Sequence, residues 1–405
     1  MNKRIIIFTD SYPYGGGEPF FEPELHHLAG CFEHVSLLPV EMRGSSVTAG
    51  KLPPNTEVIE PPFFRLKSKL SLLAAGIFNF SPLRIFIKEG FSSGVFLSPS
   101  KFRTWFSHLL MIRYLISFIR KMELLSFFSS ADLLYFYWGL RWSQILPFLP
   151  AGRLPKTVVR FHGSDLYEHT NNGYIPWRQK QLSGIDFLVT VSETGKRYLK
   201  EQYSVAEEKI FLSRLGTSDY GINPFREGDP VRIVSCSNLV PVKRVELLAE
   251  ALKYLKFRAE WIHFGDGPCR GTVEEAASSL PSGISFRLAG HINHDDLVDF
   301  YSRTSVTIFI NVSSSEGVPV SVMEALSFGI PVIATDAGGT AEIVNNSNGR
   351  IIPVDFLPAD LAGIIENFIT SSRYIEYRLN ARKSWEDNCQ AEKLLPLFSD
   401  FLLSV

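Results

Sequence analysis

Glu316 and Glu324 stand eight residues apart in the stretch Ser313-Ser-Ser-Glu316-Gly317-Val318-Pro319-Val-Ser-Val-Met-Glu324. The second half of this stretch follows a helical pattern, and Pro319 suits a first helical turn because its missing N–H would be unpaired there. Gly317 lets the backbone come close to a ligand. The N–H groups of the first turn, at the positive end of the helix dipole, then form an anion site. At the rise of an α-helix the two acids lie about 12 Å apart. They cannot share one small group, but they can grip the two ends of an extended ligand with phosphates between, as in a sugar nucleotide. A pair of glutamates is more often one cap and one surface charge. This pair differs in its surroundings: an apolar β-type run, Val306 to Val312, precedes it, and a glycine loop, Asp336-Ala-Gly338-Gly339-Thr340-Ala-Glu342, follows the next such run.

Three further places offer groups of the same kind. Lys243, in Asn238-Leu-Val-Pro-Val-Lys243-Arg244, sits in a loop next to a helix start and can neutralise a diphosphate, although a lone Lys is more often simply solvated. His162, in His162-Gly163-Ser-Asp165, lies at the carboxyl end of an apolar run, the edge at which open α/β sheets bind ligands. Gly15-Gly16-Gly17-Glu18 follows the first run; backbone amides can approach a phosphate there, though three glycines are more often only a turn.

These loops need strands and helices to hold them. Short apolar runs at Ile5–Phe8, Val35–Val40, Leu133–Tyr137, Thr157–Phe161, Phe187–Val191 and Ile210–Leu212 alternate with helical stretches. After the polar break Pro224–Pro230 a second series begins, at Val231–Ser235, Ala259–Phe264, Ser285–Leu288, Val306–Val312 and Pro331–Ala334. The alternation predicts two doubly wound parallel-sheet domains, residues 1–224 and 231–385, with a terminal amphipathic helix, 386–405, packing back across them. All the loops named above leave the same end of their sheets, so the cleft between the two domains is the expected binding site. At 405 residues the chain is long for one core, and 20% charged residues leave no room for a large disordered part. Cys31, Cys236, Cys269 and Cys389 form no zinc-type spacing, which fits a reducing cytosol. No apolar stretch reaches transmembrane length, and the glycine fingerprint of nicotinamide-dependent enzymes follows neither first strand.

A net charge of −1 hides an asymmetry, with 26 Lys and Arg against 21 Asp and Glu up to residue 230 and 15 against 21 beyond it. Residues 63–125 alone carry ten basic side chains against Glu89 and Glu123, among many Phe, Leu and Ile. Trp105, Leu109, Ile112 and Ile116 make an apolar stripe at helical spacing. Two readings stand: a helix lying on an anionic membrane, or a stripe packed on the sheet with solvated charges around it. No nucleic-acid motif accompanies the charge.

Taken together, Lys243, the Gly265-Asp-Gly267-Pro turn, Glu316-Gly-x-Pro followed by Glu324, and Gly338-Gly339-x-x-Glu342 resemble the retaining nucleotide-sugar glycosyltransferases of the GT-B fold. The type is Glu-x7-Glu, group 1 or family 4, in the branch that builds bacterial capsule, exopolysaccharide or lipopolysaccharide. The similarity is strong over 231–385 and looser before it. It implies a GT-B architecture, two Rossmann-like domains facing each other across a cleft, with the first binding the acceptor and the second the donor. It implies catalytic roles for Glu316 beside the donor sugar, Lys243 on the diphosphate and His162 facing the transferred sugar. Donor contacts would come from Gly16, Gly17, Asn238, Lys243, Arg244, Gly265, Gly267, Gly317, Val318, Pro319 and, on the ribose, Glu324. The family usually has Arg where this chain has Asn238, so phosphate neutralisation falls on Lys243 with Arg244 or Arg214. No Asp-x-Asp motif is present, and no metal or cofactor is expected. The donor is expected to be a UDP- or GDP-sugar, the acceptor a lipid-linked glycan, and the location cytoplasmic, peripheral on the inner face of the membrane. Rival readings are a soluble sugar-nucleotide enzyme, such as an epimerase or phosphorylase, and a catalytically idle scaffold subunit.

Overall fold

The apolar runs become parallel strands because both faces of each sheet are covered. A computed structural model describes residues 3–14, 18–42, 52–62, 83–150, 152 and 154–405, and its contacts divide the chain into two units. Unit 1 holds residues 1–191, 195–213 and 395–405, and unit 2 holds 192–194 and 214–394.

Unit 1 is built on β1 (Arg4–Thr9), β2 (His34–Pro39), β3 (Thr56–Val58), β4 (Leu133–Phe136), β5 (Lys156–Phe161), β6 (Phe187–Thr190) and β7 (Ile210–Leu212), in the order β3-β2-β1-β4-β5-β6-β7. Unit 2 has β8 (Val231–Cys236), β9 (Ala259–Phe264), β10 (Ile284–Gly290), β11 (Ile308–Asn311), β12 (Val332–Thr335) and β13 (Gly349–Ile352), ordered β10-β9-β8-β11-β12-β13. All pairings are parallel. In each sheet the direction of winding reverses once, between β1 and β4 and between β8 and β11. The α/β class and the doubly wound parallel sheets are therefore as expected. At such a reversal the loops after the two central strands diverge and leave a crevice at the carboxyl edge.

The stripe Trp105, Leu109, Ile112 and Ile116, on the helix Pro99–Lys121, is buried in the core of unit 1. For these four residues the packing reading is the right one. A different set faces outward: Phe91, Phe96, Phe102 and Phe106 are exposed and touch in series, with ring centroids 4.8, 6.2 and 6.0 Å apart. Arg65, Lys67 and Lys69 lie outside the described residues.

The segment 386–405 holds the helix Ala391–Ser404, and the helix Tyr374–Asn388 precedes it. Between them Thr217 donates its N–H to Cys389 O (2.9 Å) and accepts at its own carbonyl from Ala391 N (3.1 Å). A Cβ on Gly216 would stand 2.6 Å from the Ala391 Cα, so only glycine allows this approach. The sequence puts its break at Pro224–Pro230, yet the change of unit comes at Ser213/Arg214. Asn223 explains the difference, since its amide donates to Tyr301 O (2.7 Å) and Thr304 O (2.8 Å) and accepts from Val306 N (3.0 Å), all in unit 2.

Candidate functional site

In unit 2 the loops that leave the carboxyl edge are bonded to one another. Ser237 N donates to Phe264 O (2.9 Å), Leu239 N to Asp266 O (2.9 Å) and Gly265 N to Gly290 O (2.8 Å), joining the loops after β8, β9 and β10. Ser314 N reaches Val242 O (2.8 Å) and Gly339 N reaches Gly317 O (2.6 Å), adding the loops after β11 and β12. The glycines are required by this closeness. Gly265 has φ +133, and a Cβ there would lie 1.8 Å from Ser237 O; Gly338, at φ +58, would put one 1.9 Å from Glu316 O. Gly267 is held against the Leu239 carbonyl in the same way. Gly265 and Gly267 thus shape the loops.

Lys243 and Glu316 meet directly, with Nζ 2.6 Å from Oε1. Asn311, the last residue of β11, donates its side-chain amide to the same oxygen at 3.2 Å. Sequence spacing gave no sign of this pair, since 73 residues separate its members. Glu316 is 9% exposed and Lys243 23%, so the lysine is the partner open to solvent. Arg244, at φ +50, is occupied elsewhere: its Nε and Nη2 donate to the carbonyls of Val312 (3.0 Å) and Ser313 (3.4 Å), pinning the loop after β8 to the end of β11. Arg214 pairs with Glu342 at 3.0 Å, and Glu342 also accepts from the N–H groups of Glu193 (3.0 Å) and Thr194 (2.9 Å). Of the three candidate phosphate cations, Arg244 and Arg214 hold backbone and loops together, whereas Lys243 meets the Glu316 carboxylate. Asn238 is exposed in the same loop.

The helix after Glu316 runs from Val320 to Ser327 with Pro319 as its N-cap residue, one position earlier than a first-turn role. Pro319 is extended, and its carbonyl accepts from Val322 and Met323, so its ring fixes the entry of the chain into the helix. By helical geometry the N–H groups of Val320 and Ser321 have no carbonyl within the helix to bond to, and Gly317 and Val318 precede them. Glu324 lies in this helix, 12% exposed at its side chain, and accepts from His294 Nε2 at 2.9 Å. His294 opens the helix His294–Arg303, and its ring meets Tyr220 edge-on at 5.5 Å. The sequence reading missed His294; its place after the Gly290 turn was the available signal. Cys236, at the end of β8, lies within electrostatic reach of Glu324 and Lys243. Burial, then the Glu324 charge, pushes its thiol up to about 12, with Lys243 acting in the opposite sense, so it stays a neutral thiol.

In unit 1, His162 is a buried residue at the end of β5. Its Nε2 donates to Tyr137 O at 3.0 Å, and its ring packs against Trp138 at 4.4 Å. Burial, reinforced by nearby Arg160, lowers its pKa to about 3. It is a neutral, fixed imidazole at ordinary pH and takes up no proton there; any role in chemistry is that of a positioned hydrogen-bonding wall. Asp165 receives the N–H of Gly139 (2.6 Å) and of His162 (2.5 Å), and burial raises its pKa to about 7 despite those bonds. Glu18 gathers the loop after β1 around its carboxylate, accepting from Asp10 N (3.1 Å), Ser11 N (2.7 Å), Tyr12 N (2.6 Å) and Trp138 Nε1 (2.5 Å). That hub role was not visible in the sequence. Gly16 and Gly17 lie outside the described residues. Among the described residues no group of three His, Cys, Asp or Glu is placed to hold a metal ion.

Residues 222–389 match the family described as Glycosyl transferases group 1. The matched segment makes up most of unit 2. It contains Lys243, Glu316, Glu324 and His294. The GtfA subunit of the UDP-N-acetylglucosamine–peptide N-acetylglucosaminyltransferase of Streptococcus agalactiae is 26% identical over 191 residues, 45% of this chain and 37% of that protein. Relatives named for bacterial polysaccharide biosynthesis include the putative teichuronic acid biosynthesis glycosyltransferase TuaC of Bacillus subtilis, 26% identical over 48% of this chain and 50% of its own. The chain spans about a third to a half of the length of these curated relatives. The fold resembles that of Anabaena Alr3699/HepE, solved with UDP and glucose, at a TM-score of 0.68 and 15% identity over the whole of both chains.

Proposed function

We propose that the protein is a retaining, metal-independent glycosyltransferase that moves a hexosyl-type sugar from a UDP- or GDP-sugar to a hydroxyl of a lipid-linked oligosaccharide in bacterial surface-polysaccharide synthesis. The observation that carries the reading is the Lys243–Glu316 pair at the reversal point of the sheet of unit 2, with Glu324, on the helix that follows, bonded to His294. Lys243 and the first-turn amides of Val320 and Ser321 suit a diphosphate, and Glu324 suits the ribose hydroxyls. As the bond from the anomeric carbon to the phosphate oxygen breaks, its electron pair stays on the phosphate, where a cation and amide donors stabilise it. The acceptor oxygen bonds to the anomeric carbon on the same face, and its proton passes to the departing phosphate. Glu316, in this reading, holds Lys243 and the donor sugar and forms no covalent bond to it. Kinship with bacterial polysaccharide enzymes favours a surface glycan, and UDP in the HepE structure favours a nucleotide-linked donor.

The exposed Phe91, Phe96, Phe102 and Phe106, with Lys88 and Arg103 also exposed among them, suit docking on an anionic bilayer near which a lipid-linked acceptor lies. Among the described residues no helix is long and apolar enough to cross a membrane. The test is transfer of labelled hexose from UDP- and GDP-sugars to a polyprenyl-linked oligosaccharide, with and without excess chelator. The reading expects product of retained anomeric configuration, chelator-insensitive, and lost in Glu316→Gln. Inverted product, strict Mg²⁺ or Mn²⁺ dependence, or a fully active Glu316→Gln would overturn the corresponding part.

A further inference from the structure

The Glu324 carboxylate sits beside the reversal of the unit 2 sheet, since its charge reaches Cys236 at the end of β8. Among the described residues one side chain is bonded to it: His294, whose Nε2 lies 2.9 Å from Oε1. Other neighbours that feel its charge bring no positive charge of their own. In Cys236, Tyr220 and Tyr301 burial is the main cause of a raised pKa and the Glu324 charge adds to it, so all three stay protonated at neutral pH.

We infer that His294 is a positioning residue for the ribose of the donor. It holds the Glu324 carboxylate in a fixed orientation that can accept from two vicinal hydroxyls, and so makes the site prefer ribonucleotides to 2′-deoxyribonucleotides. The inference rests on the reading in which Glu324 meets the ribose. A carboxylate oxygen accepts more than one hydrogen bond, so Oε1 can keep the His294 N–H and still take a hydroxyl while Oε2 takes the other. A Glu side chain free to rotate has to be ordered when its ligand arrives, and that cost falls on the affinity; one already fixed by a neighbour meets the diol without it.

The fold sets the distance between the two residues independently of their hydrogen bond. His294 opens the helix His294–Arg303, and Asn293 fixes its start by accepting from Asp296 N at 2.9 Å. Further along the same helix Tyr301 is buried against Phe328, the residue that ends the Glu324 helix, with ring centroids 5.3 Å apart. The two helices are thus clamped by packing. Tyr220 closes the arrangement, its ring 5.5 Å from the imidazole and 6.4 Å from Phe328. The imidazole is 37% exposed and the carboxylate side chain 12%, so His294 is the outer member of the pair and replacing it leaves the core packing intact.

The experiment is isothermal titration of the full chain with UDP, GDP and their 2′-deoxy forms, for the wild type, His294→Ala, His294→Gln, Glu324→Gln and the double variant His294→Ala/Glu324→Gln, with melting temperatures alongside. The wild type is expected to bind the ribo form of at least one nucleotide about tenfold tighter than its deoxy form, and His294→Ala to reduce that ratio to about twofold or less at an unchanged melting temperature. His294→Gln keeps an N–H donor close to the place of Nε2 and should retain most of the preference, a rescue that a merely structural role would not give. Once Glu324→Gln has abolished the preference, adding His294→Ala should change the ratio no further. Full preference in His294→Ala, equal loss of both forms in that variant, or a Gln variant no better than Ala would overturn the inference. Preference lost in Glu324→Gln yet kept in His294→Ala would strike this inference and leave the reading standing. No preference in the wild type, or none lost in Glu324→Gln, would strike the ribose role of Glu324 and this inference with it.

Discussion

The contact between Lys243 and Glu316 makes each residue's role depend on the other. In the proposed reaction a diphosphate at Lys243 would compete with a carboxylate 2.6 Å from the same Nζ. Removing the competing charge and removing the cation therefore have different signatures. Glu316→Gln is expected to keep or tighten nucleoside diphosphate binding while transfer falls by about a hundredfold or more; a joint loss of binding and transfer would show that Glu316 acts on the nucleotide itself. Buried imidazoles give a second prediction at this scale. In unit 1, His108 and His162 have pKa values lowered by burial to about 4 and about 3, while burial raises Asp165 to about 7. Towards pH 5 the unfolded chain carries a proton on each imidazole, and the folded unit carries one on Asp165 that the unfolded chain has lost. The net approaches one proton in favour of the unfolded state, so stability falls as pH drops, with a slope that steepens to about 1.2 kcal/mol per pH unit near pH 5. Thermal melts of the full chain from pH 6.5 to 5 should show a falling midpoint, and a flat or rising one would refute the burial of these groups.

Elements place these residues through backbone proximity. The glycine loop after β12 packs so tightly under Glu316 that Gly338 has no room for a methyl group, with a Cβ 1.9 Å from the Glu316 carbonyl at φ +58. Gly338→Ala should therefore displace Glu316, reduce transfer at least tenfold and cost about 1–3 kcal/mol. Gly363→Ala, in the helix Pro358–Ile369 with nothing within 4 Å of its Cβ, should be neutral or slightly stabilising. Equal effects of the two on activity would show that the loop contact does not set the site. The strands were readable because both faces are buried and each appears as an apolar run. Thr56–Val58 was not, being a three-residue edge strand with Glu57 in its centre, and neither was Gly349–Ile352, a four-residue edge strand carrying Arg350. The acids and Lys243 were legible from their loops, because a carboxyl-edge loop is set by local chain order. Their partners were not: Glu316 and Lys243 come from loops after different strands, Glu324 and His294 from different helices, and only the fold brings them together.

For the whole molecule, the charge asymmetry of the sequence takes a physical form in unit 1. The apolar stripe of the helix Pro99–Lys121 is spent on the core, and the exposed phenylalanines beside it, flanked by basic residues, are left over. Pelleting with anionic vesicles should occur at low salt, weaken as salt rises, and fall severalfold when Phe91 and Phe102 become Ser with Lys88 and Arg103 made neutral. Binding indifferent to salt and to these changes would remove the membrane from the account. The central claim is that the loops at the carboxyl edge of unit 2 hold a nucleotide-linked sugar, with Lys243 on its phosphates. The most direct measurement is isothermal titration of UDP and GDP into the wild-type chain and into Lys243→Ala. The account predicts saturable one-to-one binding of at least one nucleotide, weakened tenfold or more in the variant at an unchanged melting temperature; no binding of either, or equal binding to both proteins, would contradict it.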